Sequence, residues 1–236
     1  MILMVVGGSS DMGMALISQV ISRYEKILVH YRTLTPALTA LQETWGEKIV
    51  LQQADLSSQE EIGMMLERVI QNGWIPDHVV HLAAPICNNG HFHKLSMGDF
   101  TDNLQIGLLS FVQIMQRILP YMAKKRFGKV VVMLSDVVKD MPPAYCSQYV
   151  TAKYAMLGFM RSLAVEYAGK NITVNAVSPG WTKTKYIHNQ PDLLIEKYIQ
   201  QNPRKQLLLP EQVADAIEML LSEKADHVNG QNLIIS

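Results

Sequence analysis

The sequence predicts an α/β fold, a single domain with a doubly wound parallel sheet of seven strands. Three observations predict it. Short β-rich apolar runs alternate with longer segments of helical period, the strand runs are nearly continuous apolar stretches instead of alternating ones, and no linker, repeat or low-complexity tract interrupts the chain. Strands separated by helices are joined by crossovers, and right-handed crossovers lay the helices on both faces of the sheet. Strands covered on both faces read as continuous apolar runs, and Val130-Val131-Val132-Met133-Leu134 is the clearest of them. A length of 236 residues suits one such domain.

In chain order, strands are predicted at 2–6, 27–30, 49–52, 78–82, 130–134, 172–177 and 233–235. Helices are predicted at 12–23, 36–45, 58–71, 96–123, 148–168 and 210–222. The N-terminal run has no basic flank and ends in Gly7-Gly8, which reads as a strand and not as an export signal. In the helix over 148–168, Ala152, Ala155, Met156, Phe159 and Leu163 recur at helical spacing. Met115, Met122, Met156 and Met160 are read as flexible core filling in preference to a methionine-lined site.

Composition removes several classes of function. Lys+Arg 21 against Asp+Glu 21 leaves no net charge to attract a nucleic acid. Hydrophobic residues make up 48% and charged residues 18%, so the chain can build a core and carries no disorder signature. Cys87 and Cys146 are too few for a disulfide framework or a cysteine zinc site, and are read as free thiols in a reducing cytoplasm. Gln105, Gln113, Gln116 and Arg117 interrupt the longest apolar stretch, so no membrane span is expected.

The chemistry begins where the first strand ends, in Gly7-Gly8-Ser9-Ser10-Asp11-Met12-Gly13. Glycines there let backbone N–H groups approach a pyrophosphate, and the helix that follows adds partial positive charge. A plain tight turn would look alike in isolation. Its place after the first strand of an alternating chain makes it a dinucleotide fingerprint, with Gly7, Ser9, Ser10, Asp11, Met12 and Gly13 as contacts. After the second strand an acidic residue would hold the ribose of NAD, whereas a cation accommodates the 2′-phosphate of NADP. Arg32 stands there, so NADP(H) is the expected cofactor. Asp55 and Leu56 follow the third strand, where the carboxylate either meets the adenine edge or caps the next helix, with Ser57 an equal candidate for the cap. Tyr149 and Lys153, four residues apart, share one helix face, and a cation beside a phenol lowers its pKa from about 10.

Together these motifs resemble the short-chain dehydrogenase/reductase family, and within it the 3-oxoacyl-(acyl-carrier-protein) reductases. The resemblance spans essentially the whole chain. It continues through Asn103-Leu104 with Gly107, Asn175-Ala176-Val177-Ser178-Pro179-Gly180 with Thr182 and Thr184, Pro210-Glu211-Gln212-Val213-Ala214 and Gly230-Gln231. It implies a Rossmann-type fold and ketone reduction by hydride transfer. Tyr149 would protonate the carbonyl oxygen, Lys153 would lower the phenol pKa and bind the nicotinamide ribose, and Asn103 would hold a water relaying protons to Lys153. Pro179, Gly180, Thr182 and Thr184 would line the nicotinamide and diphosphate, Ala83 and Ala84 would pass beneath the cofactor, and the residues from 182 to about 204 would form a substrate-covering loop.

Three positions depart from the family pattern. Asp11 replaces the middle glycine of the phosphate turn and brings a negative charge towards the diphosphate, unless it caps the helix and points away. His81-Leu82-Ala83-Ala84 replaces the usual Asn-Asn-Ala-Gly, and His81 is read as structural. Asp136 stands 13 residues before Tyr149, where the family has its substrate-orienting serine, and Ser135 is one residue early. Either could serve. Lys124, Lys125, Arg126 and Lys170 at helix ends suit the helix dipole, and the resemblance equally suggests a patch for an acidic acyl carrier protein. A homotetramer built on the helices over 96–123 and 148–168 is expected. Two functions stay open: an NADPH-dependent reductase of a 3-oxoacyl or related ketone, and a catalytically weakened NADP(H)-binding sensor or assembly subunit.

Overall fold

In the computed structural model, residues 1–85, 88–185, 187 and 190–236 are described, so Cys87 lies outside the described residues. Seven strands form one sheet: β1 (Ile2–Val6), β2 (Lys26–Tyr31), β3 (Ile49–Gln53), β4 (His78–His81), β5 (Gly128–Met133), β6 (Ile172–Pro179) and β7 (Asn232–Ile235). Their order is β3-β2-β1-β4-β5-β6-β7, and every pairing is parallel. The single doubly wound α/β domain expected from the alternating pattern is therefore present. Winding reverses between β1 and β4. That reversal leaves a crevice at the carboxyl ends of the strands, the place where open α/β sheets hold ligands.

The helices are α1 (Asp11–Val20), α2 (Pro36–Trp45), α3 (Gln59–Gln71), α4 (Met97–Asn103), α5 (Ser110–Lys125), α6 (Ser147–Tyr167), α7 (Asp192–Gln201) and α8 (Pro210–Leu221). Side-chain oxygens start several of them by accepting otherwise unpaired first-turn N–H groups. Ser10 accepts from Gly13, Thr35 from Leu38 and Ser58 from Glu61. Neither Asp55 nor Ser57 caps α3, which corrects the sequence reading. Asp55 turns back instead to accept from the Ser57 backbone and hydroxyl.

Two further corrections concern the helices. The long helix expected over 96–123 is continuous, but its middle, Leu104–Leu109, is a π-segment between α4 and α5. The substrate-covering segment expected as a loop contains α7. The continuous helix Met97–Lys125 has 29 residues and a mean hydropathy of 1.2 over its most apolar window, enough by length and composition to cross a membrane. Its polar interruptions do not disqualify it. Phe111, Ile114, Met115, Ile118, Leu119 and Met122 are instead buried in the core on one face of the sheet.

That first core also holds Met156 and Met160, so the four singled-out methionines are core filling. The second core, on the opposite face, packs α1 against β1 and α8 against β5 and β6 through Leu16, Ile17, Val213 and Ile217. Buried Asn175 joins β6 to the end of the chain, donating to Val228 O and accepting from Gln231 N–H.

Glycines set the closeness of β1 to α1. A Cβ on Gly13 would lie 2.7 Å from the Gly8 backbone, and one on Gly8 would lie 2.5 Å from Val29 Cγ1. Gly7 turns the chain at φ +80°, a conformation side-chain-bearing residues seldom adopt.

Candidate active site

The carboxyl ends of β1, β4, β5 and β6 deliver four loops to the crevice, and α6 runs beside it. Ser10 closes the first loop. Its hydroxyl donates to Gly7 O at 2.8 Å and accepts from Gly13 N–H at 3.1 Å. The N–H groups of Asp11 and Met12 fall in the first turn of α1, where a helix supplies no acceptor of its own. Gly7 packs so tightly on the loop after β4 that a Cβ would meet Ala83 N at 3.0 Å. Glycine backbone, uncommitted helix N–H groups and bare loop backbone suit a dinucleotide diphosphate.

Asp11 does not cap the helix, because Ser10 does. Its carboxylate accepts from Lys185 N–H at 2.7 Å, which turns the charge to the loop after β6 and leaves the turn able to receive an anion. Arg32 is exposed just beyond β2, and its carbonyl accepts from Gln53 Nε2. Asp55 is held ionised below the usual carboxylate range by its hydrogen bonds from Ser57. Leu56 is buried, and its carbonyl accepts from Gln105. Ala83 is half-buried and Ala84 is exposed.

Lys153 is the most constrained ionisable group in the crevice. It is 2% exposed, its ammonium donates to Met133 O at 2.8 Å and lies 5.5 Å from the centre of the Tyr149 ring. Desolvation lowers its pKa from 10.5 to about 8. Among the described residues no carboxylate pairs with it. Tyr149 is half-buried one turn earlier on α6, so α6 brings the expected pair together.

Asn103 ends α4 and is buried. Its Nδ2 donates to Asp99 O at 2.8 Å, and its Oδ1 has no partner among the described residues. His81, at the end of β4, meets Ser110 Oγ at 3.0 Å, and the Ser110 hydroxyl donates to Ile106 O. The serine proton is thus committed, so His81 Nε2 carries its own. Burial, aided by the charge of Lys153, pushes His81 down to about 3. His81 is a neutral residue packed on Phe111, in keeping with its structural reading.

Ser135 and Asp136 follow β5. Ser135 accepts from Val137 N–H and donates to Asp136 Oδ1 at 3.2 Å. Burial raises the Asp136 pKa, against smaller lowering from Ser135 and Lys139. Its other oxygen points to Gly180, where a Cβ would lie 3.3 Å from it. Tyr198 of α7 fills the remaining space there, its oxygen 2.2 Å from the same Cβ position. Tyr198 also accepts from Trp181 N–H at 3.0 Å and stacks on the Trp181 ring at 4.9 Å. Pro179 and Gly180 are buried, Thr182 donates to Gly180 O at 3.0 Å, and Thr184 donates to Thr182 O.

The family model described as enoyl-(acyl carrier protein) reductase, built for short-chain dehydrogenases, matches residues 14–236. This chain belongs to the short-chain dehydrogenase/reductase family. It is 29% identical over 77% of its length to 74% of the 3-oxoacyl-(acyl-carrier-protein) reductase FabG of Buchnera aphidicola subsp. Schizaphis graminum. It is 28% identical over 97% of its length to 92% of FabG from Aquifex aeolicus. The crystal structure of levodione reductase superposes with a TM-score of 0.91 at 22% identity, covering 100% of this chain and 95% of that one. The fold is that of the Rossmann-type short-chain dehydrogenases, and the chain is an oxidoreductase by family.

Within this short-chain dehydrogenase/reductase, two residues near the crevice escaped the sequence reading. Tyr198 lay in a segment assigned to a covering loop by resemblance, although the helical spacing of Ile195, Tyr198 and Ile199 was the available signal. His30 hid at the end of an apolar strand, and its polarity there was the available signal.

Lys153 carries a cost that its surroundings do not relieve. In the folded chain its pKa is lowered, so the unfolded chain binds the proton more tightly; the penalty is full below about pH 8 and fades towards 10.5. Lys153→Met should therefore raise the melting temperature at pH 7 while the gain shrinks at pH 10, as thermal unfolding at the two pH values will show. A lower melting temperature at both would contradict this.

Proposed function

We propose that this oxidoreductase reduces a ketone, a 3-oxoacyl or related carbonyl compound, with NADPH. The observation that carries the reading is the buried Lys153 ammonium at the Tyr149 ring, at the same end of the sheet as a glycine turn with uncommitted N–H groups. Gly7, Ser9, Ser10, Met12 and Gly13 would hold the diphosphate, with Arg32 at the 2′-phosphate and Asp55 and Leu56 by the adenine. Ala83, Ala84, Pro179, Gly180, Thr182 and Thr184 would flank the nicotinamide, which when bound supplies a hydride. Tyr149 would give its phenol proton to the carbonyl oxygen, leaving a tyrosinate that the Lys153 cation stabilises. Asn103, whose Oδ1 is buried without a partner among the described residues, would anchor the water that returns the proton. The setting we propose is a reducing cytoplasm, in which Cys146 remains a buried thiol.

A second reading, a weakened NADP(H)-binding sensor or assembly subunit, is favoured by the packing at Gly180. Tyr198 and the Asp136 carboxylate stand where a nicotinamide would be received, and the Ser135 hydroxyl is spent on Asp136. NADPH oxidation with a panel of small ketones separates the two readings.

The basic cluster contributes little to either reading within one copy. Lys125 pairs with Asp77 and Arg126 donates to Gly169 O, while Lys124 and Lys170 are exposed. All four lie by the amino ends of β4, β5 and β6, the opposite pole from Tyr149. A carrier docked there would deliver its cargo to the crevice of another copy. We propose that such copies exist as a homotetramer joined through α5 and α6, where Tyr121, Tyr154 and Val165 are exposed. Light scattering should report an oligomer at micromolar concentration, and a monomer would remove both the tetramer and the carrier patch.

Arg32→Ala should weaken NADPH binding about tenfold or more, since a charge-assisted contact contributes about 1.5–3 kcal/mol, while sparing NADH. Equal losses for both would reject NADP(H) preference in titration calorimetry.

The raised Asp136 pKa gives the pH profile its sign. A protonated Asp136 can donate to the substrate oxygen and an ionised one repels it, so reduction should be faster in mildly acidic buffer. Above about pH 8, loss of the Lys153 proton should remove activity again. Asp136→Ser should flatten the acidic dependence and raise the rate near neutrality, and Tyr149→Phe should abolish turnover. Damage from Ser135→Ala, with Asp136→Ser silent, would transfer the role to Ser135.

A further inference from the structure

The end of β2 carries a histidine that no catalytic step uses and that is bonded on every side. His30 is 3% exposed. Its Nδ1 accepts from Gly7 N–H at 3.0 Å, its backbone carbonyl accepts from Gly8 N–H at 2.9 Å, and its Nε2 lies 3.0 Å from Ala54 O. Ala54 N–H in turn donates to Tyr31 O, so the chain before Asp55 is tied to β2 as well.

These contacts select one chemical form of the ring. Ala54 O can only accept, so Nε2 must carry a proton. Gly7 N–H can only donate, so Nδ1 must be bare. An imidazolium would set N–H against N–H at Gly7, and the other neutral tautomer would fail at both ends. One neutral tautomer satisfies both contacts.

We propose that His30 is the positioning residue of the dinucleotide site: its neutral imidazole locks the phosphate-binding turn at Gly7 to the adenine-side loop at Ala54, and protonation releases that lock. The inference rests on the reading of the crevice as a dinucleotide site. No other side chain spans those two loops through both ring nitrogens among the described hydrogen bonds, and the backbone of the same residue holds Gly8. The turn's left-handed Gly7 and the N–H groups of α1 depend on that anchor for their direction.

The charged and titratable groups around the ring work against one another. Burial lowers its pKa most strongly, while the Ala54 hydrogen bond and the Asp55 carboxylate favour the proton. From β4 the ring faces His81, itself neutral, and Arg32 is exposed beyond the strand. No charged side chain comes from the Gly7–Gly8 side. The balance keeps His30 neutral through the ordinary histidine range, so release belongs to buffer more acidic than that range.

Two variants test this. His30→Gln keeps an acceptor and a donor but cannot titrate in this range; His30→Leu keeps bulk and loses both bonds. Titration calorimetry with NADP+ should give His30→Gln an affinity within about threefold of the parent at pH 7.5, and His30→Leu a loss of about tenfold. Between pH 7.5 and about 4.5, below the ordinary histidine range, the parent should weaken more than His30→Gln does; the 2′-phosphate titrates equally in both, so their difference reports His30. Without any dinucleotide, Gly7 amide exchange should be slow in the parent and His30→Gln and fast in His30→Leu. Nitrogen NMR should show the proton on Nε2. A proton on Nδ1, parallel acid losses in the parent and His30→Gln, or a His30→Leu chain with unchanged Gly7 exchange and NADP+ affinity would each overturn the proposal. A His30→Leu chain that does not fold leaves the decision to the acid comparison and the NMR. If the parent binds neither NADP+ nor NAD+, the dinucleotide reading falls, and Gly7 exchange still decides whether His30 holds the turn.

Discussion

The reversal of winding between β1 and β4 is the constraint on which the rest depends. A parallel sheet covered on both faces has no spare side on which to build a site, because each strand residue is committed to one core or the other. The reversal sends successive crossovers to opposite faces and leaves one gap at the carboxyl ends. Gly7, His81, Met133 and Gly180 all stand at that gap because each terminates or follows a strand that ends there. What the loops carry decides the chemistry, and what the strands carry decides where the loops begin.

Close contact inside the gap limits which residues can occupy it. The Gly8–Gly13 approach leaves no room for a methyl group, and Gly180 lies against Tyr198 and Asp136. Polar groups there are consequently held by neighbours, not by solvent. Asp11 illustrates this, since its carboxylate is answered by one backbone N–H from a loop 174 positions away. Lys153 is the counterexample: a cation kept in an apolar place with a carbonyl for company, whose depressed pKa records the cost of keeping it there.

Most of the fold was legible because it rests on period and punctuation. The run 130–134 could hardly be anything but a doubly covered strand, and Ser10, Thr35 and Ser58 stand where helix starts need them. The π-segment was not legible, since six residues of i→i+5 bonding leave the apolar stripe of a long helix almost unchanged. The helix α7 was missed because its segment was assigned by resemblance to a covering loop. For the candidate site, spacing alone brought Tyr149 to Lys153, whereas the partners of Asp11 and His30 come from elements far away in sequence. Such pairings have no local signature, and only the folded chain displays them.

The π-segment carries a further implication for how this polar crevice is encoded. Between Asn103 and Ser110 the helix winds with more residues per turn than its flanks. Rewinding all of the intervening residues as α-helix would swing Asn103 by about 100° relative to Ser110, since each α-helical residue turns the chain by that angle, whereas removing one of the six would restore ordinary winding and leave the two nearly where they stand. The aim of the asparagine thus depends on how the segment winds, not on a letter. Two chains could share every side chain of the crevice and still differ there by a single deletion far from any strand, and a comparison that scores letters alone would pass over the difference.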